Sequence, residues 1–184
     1  MQDNTDEQLM VMYSKGDQSA FAALYSRHKA PLYRYFGRQL KLEQKNMVEE
    51  LFQDVWFKVI DARESYEPKA KFTTWLYQIA HNLLIDVYRK RLSEREHLAT
   101  LNEGRVEQMD ENTHVLQSKH AIRACMDGLA PLQLEAFMLK HESGFATKQI
   151  CDIVGSKPET IKTRLRYAME NLRECLIRKL GGRE

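Results

Sequence analysis

Cationic, hydroxyl and aromatic side chains share one side of a segment near the C-terminus, and such side chains bind nucleic acid. In TKQICDIVGSKPETIKTRLRYAMENLRECL, which starts at Thr147, apolar residues at helical spacing predict two helices joined by a tight turn. Gly155 permits the turn, and Pro158 fits the first turn of the second helix. The exposed side of that helix then carries Lys162, Thr163, Arg166 and Tyr167. This helix-turn-helix predicts binding in the major groove, where side chains reach base edges.

An amphipathic helical hairpin with a solvated basic face is the alternative interpretation of this segment. Such hairpins seldom combine a glycine turn, a proline start and a basic exposed face, so we favour DNA binding. Thr160 and the free backbone N–H groups at the helix start would also hold a phosphate.

A second stretch, EELFQDVW from Glu49 to Trp56, has the composition of a protein-docking surface. Helical spacing places its acids and Gln53 on the exposed face together with Phe57. Aromatic residues are enriched at protein interfaces, which favours docking over a merely soluble face. A solvated acidic face is the alternative.

A third stretch, KFTTWLYQIAHNLLIDVYRKR from Lys71 to Arg91, mixes aromatic rings with cations beside an exposed loop at 63–71. Bases stack on rings while cations follow the backbone, so this composition suits single-stranded nucleic acid. The alternative is that Phe72 and Trp75 are simply core residues.

The elements that position these residues are predicted to be helices. The chain has 184 residues, of which 43% are hydrophobic and 29% charged, with only eight Gly and four Pro. Capping signatures at Thr5, Asp17 and Asn46 open the first helices, and another is expected from about Thr73. Gly128 and Pro131 divide two later helices. We expect an all-α fold of two small helical domains joined by a flexible linker.

Charge is unevenly distributed along the chain. Residues 1–92 carry 14 Lys or Arg against 12 acids, residues 93–115 carry 2 against 6, and residues 116–184 carry 12 against 8. The net charges are therefore +2, −4 and +4. This pattern favours two nucleic-acid-facing domains, 1–92 and 116–184, tied by an acidic linker at 93–115.

Several function classes are disfavoured by the sequence. No His, Cys or carboxylate set shows catalytic spacing, so we expect no enzyme, no catalytic residue and no cofactor. Cys125, Cys151 and Cys175 are expected to be reduced packing residues, and no metal site is expected. The polar N-terminus and the short apolar runs indicate a cytoplasmic protein without membrane insertion.

Four motifs in order resemble the extracytoplasmic-function (ECF, group IV) class of sigma factors in the sigma-70 family. They are GDQSAFAALY (16–25), EELFQDVW, FTTWLYQIAHNLLIDVYRKR and KQICDIVGSKPETIKTRLRYAMENLRECL. The resemblance implies a sigma region 2 bundle, a sigma region 4 helix-turn-helix, and a role in recruiting core RNA polymerase to promoters and opening the duplex. Glu50 stands where the family usually has Asp, and Arg166 and Tyr167 also differ from the commonest residues.

Site roles are carried over from this resemblance. In the family, the second motif docks on the clamp helices of the polymerase largest subunit, and the flap is a further polymerase contact. Polymerase binding is thereby assigned to Glu50, Leu51, Gln53, Asp54 and Phe57. Capture of the −10 element as a single strand is assigned to Tyr66, Lys69, Lys71, Phe72, Trp75, Asn82 and Arg89. Recognition of the −35 duplex is assigned to Lys157, Thr160, Lys162, Thr163, Arg164, Arg166 and Tyr167.

Two questions stay open at the level of sequence. A helix-turn-helix regulator that binds DNA as a dimer without polymerase is the main rival function, and it would need no docking helix. Many members of the resembled class are held inactive by an anti-sigma factor, but no residue here identifies such a partner.

Overall fold

The helix ends follow the local signals in the sequence. The computed structural model describes residues 4–40, 45–98 and 114–180, and no β-strand occurs in these ranges. Its helices are α1 (Asp6–Ser14), α2 (Gln18–Gln39), α3 (Lys45–Asp61), α4 (Phe72–Leu98), α5 (His114–Asp127), α6 (Pro131–Phe137), α7 (Thr147–Val154) and α8 (Pro158–Leu180). A π-helical turn, Met138–Glu142, extends α6. The predicted all-α fold of two small helical domains is confirmed.

Side-chain caps fix the starts of α1 and α2. Thr5 and Gln8 form the predicted capping box, in which the Thr5 Oγ1 accepts from the Gln8 N–H at 3.3 Å and the Gln8 Oε1 accepts from the Thr5 N–H at 2.9 Å. The Asp17 carboxylate accepts from the N–H groups of Ser19 and Ala20. Each cap satisfies backbone donors that the first helical turn leaves unpaired.

α2 continues past Pro31 to Gln39, as its helical spacing allows. Two other helices differ from the sequence prediction at their ends. α3 begins at Lys45, so Asn46 lies inside the helix and the prediction that it caps the helix is wrong. α4 passes the basic run at 89–91 and reaches Leu98, inside the segment predicted to be linker.

One apolar core joins α1–α4 to the helix-turn-helix. Leu24, Phe36, Val55 and Leu76 are fully buried in its first part. The same cluster continues into the C-terminal part through Leu139, Phe145, Ile150, Ile153 and Ile161. The two domains are therefore packed against each other, a contact that the sequence did not predict.

A smaller core holds α5, α6 and α8 together and contains a disulfide. Cys125 and Cys175 are bonded, with their Cα atoms 5.7 Å apart, and Met126, Leu134 and Leu172 pack around them. The prediction that all three cysteines are reduced is wrong for this pair. Only Cys151 is a free thiol in the described part of the chain. The two bonded cysteines meet because α5 packs on α8, which spacing along the sequence does not reveal.

Membrane-spanning helices and grouped metal ligands are both absent from the described ranges. No helix in them is long and apolar enough to cross a membrane. Within the same ranges, no three His, Cys, Asp or Glu side chains are grouped so that they could hold a metal ion.

Candidate nucleic-acid and docking interfaces

α7 and α8 form the predicted helix-turn-helix. The Gln149 Oε1 accepts from the Ala146 N–H at 3.0 Å and so caps the start of α7. Gly155 ends α7 with a φ of +61°, a left-handed conformation that costs glycine little because it has no Cβ. α8 begins at Pro158, whose missing N–H is no loss in a first helical turn. The turn between the helices is thus fixed by local chemistry.

α8 separates a buried stripe from an exposed one. Ile161, Ala168 and Leu172 are buried against the rest of the protein. The other side is exposed and carries Thr160, Lys162, Thr163, Arg166 and Tyr167, and Lys157, just before the helix, is exposed as well. Arg164 is only half-exposed. The exposed set starts at the N-terminal end of α8, the end that such helices insert into the major groove.

Neighbouring side chains already constrain this exposed stripe. The Arg166 guanidinium lies 5.1 Å from the centre of the Tyr167 ring, within the range of a cation–π contact. The Lys162 ammonium donates to the Glu159 carboxylate at 2.8 Å, and this hydrogen bond with its charge raises the pKa of Lys162. Lys162 therefore remains charged, with Glu159 as its partner in the free chain.

A cavity of about 220 Å³ opens between the loop after α3 and the start of α4. Its walls are Ala62, Ser65, Tyr66, Glu67, Lys69, Ala70 and Trp75. The rings of Tyr66 and Trp75 lie 5.1 Å apart, centre to centre, and tilt towards each other. Lys69 forms an ion pair with Glu67 at the exposed rim. The cavity thus combines aromatic walls with a cation, as a site for an unpaired base requires.

Phe72 lies behind this cavity and not on its surface. Its side chain is fully buried, and its ring centre lies 5.7 Å from that of Trp75 and 6.3 Å from that of Tyr66. The assignment of Phe72 as a residue that touches DNA is therefore corrected, because it supports the other two rings. The remaining residues assigned to this interface, Lys71, Asn82 and Arg89, are exposed.

Tyr66 lines the cavity with an uncharged phenol ring. Burial raises the pKa of Tyr66 to about 12, with the negative charges of Glu7 and Asp6 adding to the effect. Its hydroxyl is buried and has no hydrogen-bond partner among the described residues. The phenol thus stays neutral over the physiological range.

Two acids of α1 hold this region in place, a role that the sequence analysis did not predict. The Glu7 carboxylate accepts from the Phe72 N–H at 2.7 Å and so satisfies the start of α4. Asp6 accepts from Arg27 at 2.9 Å and lies 2.7 Å from the His28 Nε2. Burial would raise the pKa of Asp6, but the hydrogen bonds from His28 and Arg27 outweigh it and lower that pKa.

The candidate docking face of α3 is only partly exposed. Glu50 and Gln53 face solvent, and Phe57 is 59% exposed, which is unusual for so large an apolar ring. Asp54 is half-buried. Leu51 is 5% exposed and packs in the core, so its assignment to a docking surface is corrected.

Comparisons with protein families cover both halves of the chain. Residues 24–93 match the family model for sigma-70 region 2, and residues 119–172 match that for sigma-70 region 4. Two solved structures share the fold. CnrH, in complex with the cytosolic domain of CnrY, is 21% identical with a TM-score of 0.67, covering 94% of this chain and 97% of that one. The sigma factor RpoE from Bartonella quintana, in complex with the anti-sigma factor NepR, is 23% identical with a TM-score of 0.68, covering 85% and 96%.

Curated relatives agree with these matches. The ECF RNA polymerase sigma factor SigK of Mycobacterium sp. (strain KMS) is 30% identical over 173 residues, which are 91% of this chain and 89% of that protein. The RNA polymerase sigma factor CarQ of Myxococcus xanthus is 28% identical over 91% of this chain and 95% of that protein. The chain therefore belongs to the ECF class of the sigma-70 family, as an alternative sigma factor that directs promoter-specific transcription initiation with RNA polymerase.

Proposed function

We propose that three separate surfaces of this sigma factor bind polymerase, the −10 element and the −35 element. The observation that carries the proposal is that one chain presents an acidic and aromatic face on α3, an aromatic cavity beside α4 and a basic face on α8. A regulator acting without polymerase would need only the last of these.

The polymerase surface consists of Glu50, Gln53, Asp54 and Phe57. The exposed carboxylate of Glu50 and the half-buried one of Asp54 supply charge complementarity, and the exposed Phe57 ring supplies apolar contact area. Leu51 positions this face from the core side. Its proposed partner is the coiled-coil clamp of the largest subunit, with the flap as a second contact for the C-terminal domain.

The −10 surface is the cavity between Tyr66 and Trp75 together with the exposed stripe of α4. Extracting a base from the duplex costs a few kcal/mol, so an aromatic site is needed to recover that cost by stacking. Lys69 and Lys71 lie at the exposed loop, and Asn82 and Arg89 continue along α4 where the strand backbone would run.

The −35 surface consists of Lys157 and the exposed side of α8 as far as Tyr167. We assign contacts with base edges to the exposed Lys162, Thr163 and Arg166, and contact with a phosphate to Thr160 and the helix N-terminus. Arg164 is half-exposed and takes a lesser role.

The remaining assignments depend on the same proposal. The domains are 1–92 and 116–184 with a linker at 93–115, the protein acts in the cytoplasm, and it has neither catalytic activity nor a cofactor. An anti-sigma factor is a further proposed partner, because the structural neighbour RpoE from Bartonella quintana was solved in complex with the anti-sigma factor NepR.

Charge reversal on α3 tests the docking surface. Glu50→Lys with Asp54→Lys should abolish binding to core polymerase while the circular dichroism spectrum stays that of the wild type. Glu64→Lys with Glu94→Lys is the matched control, because both acids are exposed, lie outside α3 and give the same change in charge. Retained binding by the α3 variant, or equal loss in the control, contradicts the assignment.

A further inference from the structure

A second cavity, of about 310 Å³, lies along the C-terminal half of α2 beside the start of α3. Its apolar walls are Tyr33, Leu40 and Val48, and the last two are buried in the core. Arg123 reaches it from α5, and its other walls belong to α2, to the residue that ends α2, or to α3. This volume is at the lower end of the range for small-molecule sites. None of the surfaces proposed above includes these residues.

Four cations line this cavity, and no acid among the described residues does so. The cations are Arg34, Arg38, Lys45 and Arg123. Outside the cavity, the Glu142 carboxylate lies 3.9 Å from the Arg34 Nε and 3.7 Å from the Arg38 Nε. Partly exposed ion pairs at such distances contribute little. One carboxylate shared between two arginines therefore leaves most of the positive charge at this cavity without compensation.

The residues around the cavity depart from helix-favouring choices in three ways. Arg34 and Arg38 are four residues apart on α2, and like charges at that spacing are destabilising. Gly37 lies inside the same helix, where glycine is less favourable than alanine. Lys45 begins α3, at the positive end of the helix dipole. Such departures are expected where a functional site outweighs local stability.

Gly37 is not explained by the backbone or by packing. Its φ lies outside the left-handed region, and a Cβ added to it would meet no atom within 4 Å. Neither a turn nor a close contact between helices therefore requires glycine at this position. The missing side chain instead leaves the cavity open on the α2 side, so that a ligand can approach the helix backbone.

We propose that this cavity binds a nucleotide that carries two or more phosphates. Arginine guanidinium groups donate paired hydrogen bonds to phosphate oxygens, and the N-terminal end of α3 attracts an anion as well. Several cations in one small cavity match a ligand with more than one negative charge. The apolar walls and the Tyr33 ring match the flat face of a base, which inorganic phosphate would leave without a partner.

Isothermal titration calorimetry of the free full chain with ADP and with GDP tests the proposal. We expect a dissociation constant in the micromolar range for one site. Pyrophosphate, which lacks the base, and adenosine, which lacks the phosphates, should each bind roughly tenfold more weakly or worse.

Variants place the site at this cavity. Arg38→Gln with Lys45→Gln should weaken nucleotide binding roughly tenfold or more. Lys29→Gln with Lys58→Gln is the matched control, because both lysines are exposed on the same two helices, lie outside the cavity and give the same change in charge. Gly37→Ala should weaken binding by a similar factor while raising the urea midpoint, since alanine favours the helix. A purely structural glycine would not give that combination.

Photolabelling with 8-azido-ADP, followed by peptide mapping, separates this cavity from the basic face of α8, which would also attract phosphates. Label should appear on peptides from α2 and α3. The proposal is overturned by the absence of binding, by pyrophosphate that binds as tightly as ADP, by equal loss in the lysine control, by unchanged affinity in Gly37→Ala, or by label confined to α8. Because these experiments use the free chain without polymerase or promoter, their outcome is independent of the proposed function.

Discussion

Loss of the bond between Cys125 and Cys175 should destabilise the C-terminal domain substantially. The bond closes a loop between residues 50 positions apart and ties α5 to α8. Restricting a loop of that length in the unfolded chain corresponds to about 4 kcal/mol in the chain-entropy account. Cys125→Ala with Cys175→Ala should therefore lower the free energy of unfolding of this domain by up to that amount.

Urea unfolding followed by two probes would localise this effect. Both tryptophans, Trp56 and Trp75, lie in the N-terminal domain, so their fluorescence reports its unfolding, whereas far-ultraviolet circular dichroism reports the helices of both domains. The double variant should shift the circular dichroism transition more than the fluorescence transition. Cys151→Ala, which removes the free thiol, is the control. Three reactive thiols in the denatured, unreduced protein, or equal stability of variant and control, would refute the reasoning.

Three further outcomes are expected. Arg166→Ala should weaken −35 binding by roughly 1–3 kcal/mol in gel-shift or footprint titrations of the holoenzyme. The loss should be larger for the preferred −35 sequence than for other sequences. Arg173→Ala, two turns further along α8, is the control and should cause a smaller loss that is the same for all sequences. Tyr66→Ala should cost roughly 1–3 kcal/mol in holoenzyme binding to an unpaired −10 strand, whereas Tyr66→Phe keeps the ring and should bind normally; equal loss in both would exclude stacking. The lowered pKa of Asp6 means that its stabilising effect is present above the ordinary value of 3.8 and is lost as pH falls through the lowered one. Asp6→Asn should remove that part of the acid dependence of the urea midpoint, and an unchanged dependence would contradict the role of its contacts with His28 and Arg27.

Local features of the fold could be predicted because their causes act within a few residues. The capping box of Thr5 and Gln8, the left-handed Gly155 and the start of α8 at Pro158 each depend on backbone chemistry nearby. The exposed stripe of α8 follows from the helical repeat, and the structure confirms it. Both the presence of a helix-turn-helix and the positions of its turn and exposed side chains were therefore predictable from the sequence.

Contacts between distant segments could not be predicted in the same way. An amphipathic pattern shows that a face is buried but does not show which helix covers it. The bond between Cys125 and Cys175, the cap that Glu7 provides for α4, and the burial of Glu135 all depend on that missing information. The position of Glu135 within an apolar stretch of sequence was the one local sign that its carboxylate is buried.

In vitro transcription with purified core polymerase tests the central claim most directly. We predict that the wild-type chain gives a transcript starting at a defined promoter, and that core polymerase alone or with Glu50→Lys and Asp54→Lys gives none. A specific DNA footprint by the chain without polymerase, together with no promoter-specific transcript in its presence, would contradict the account.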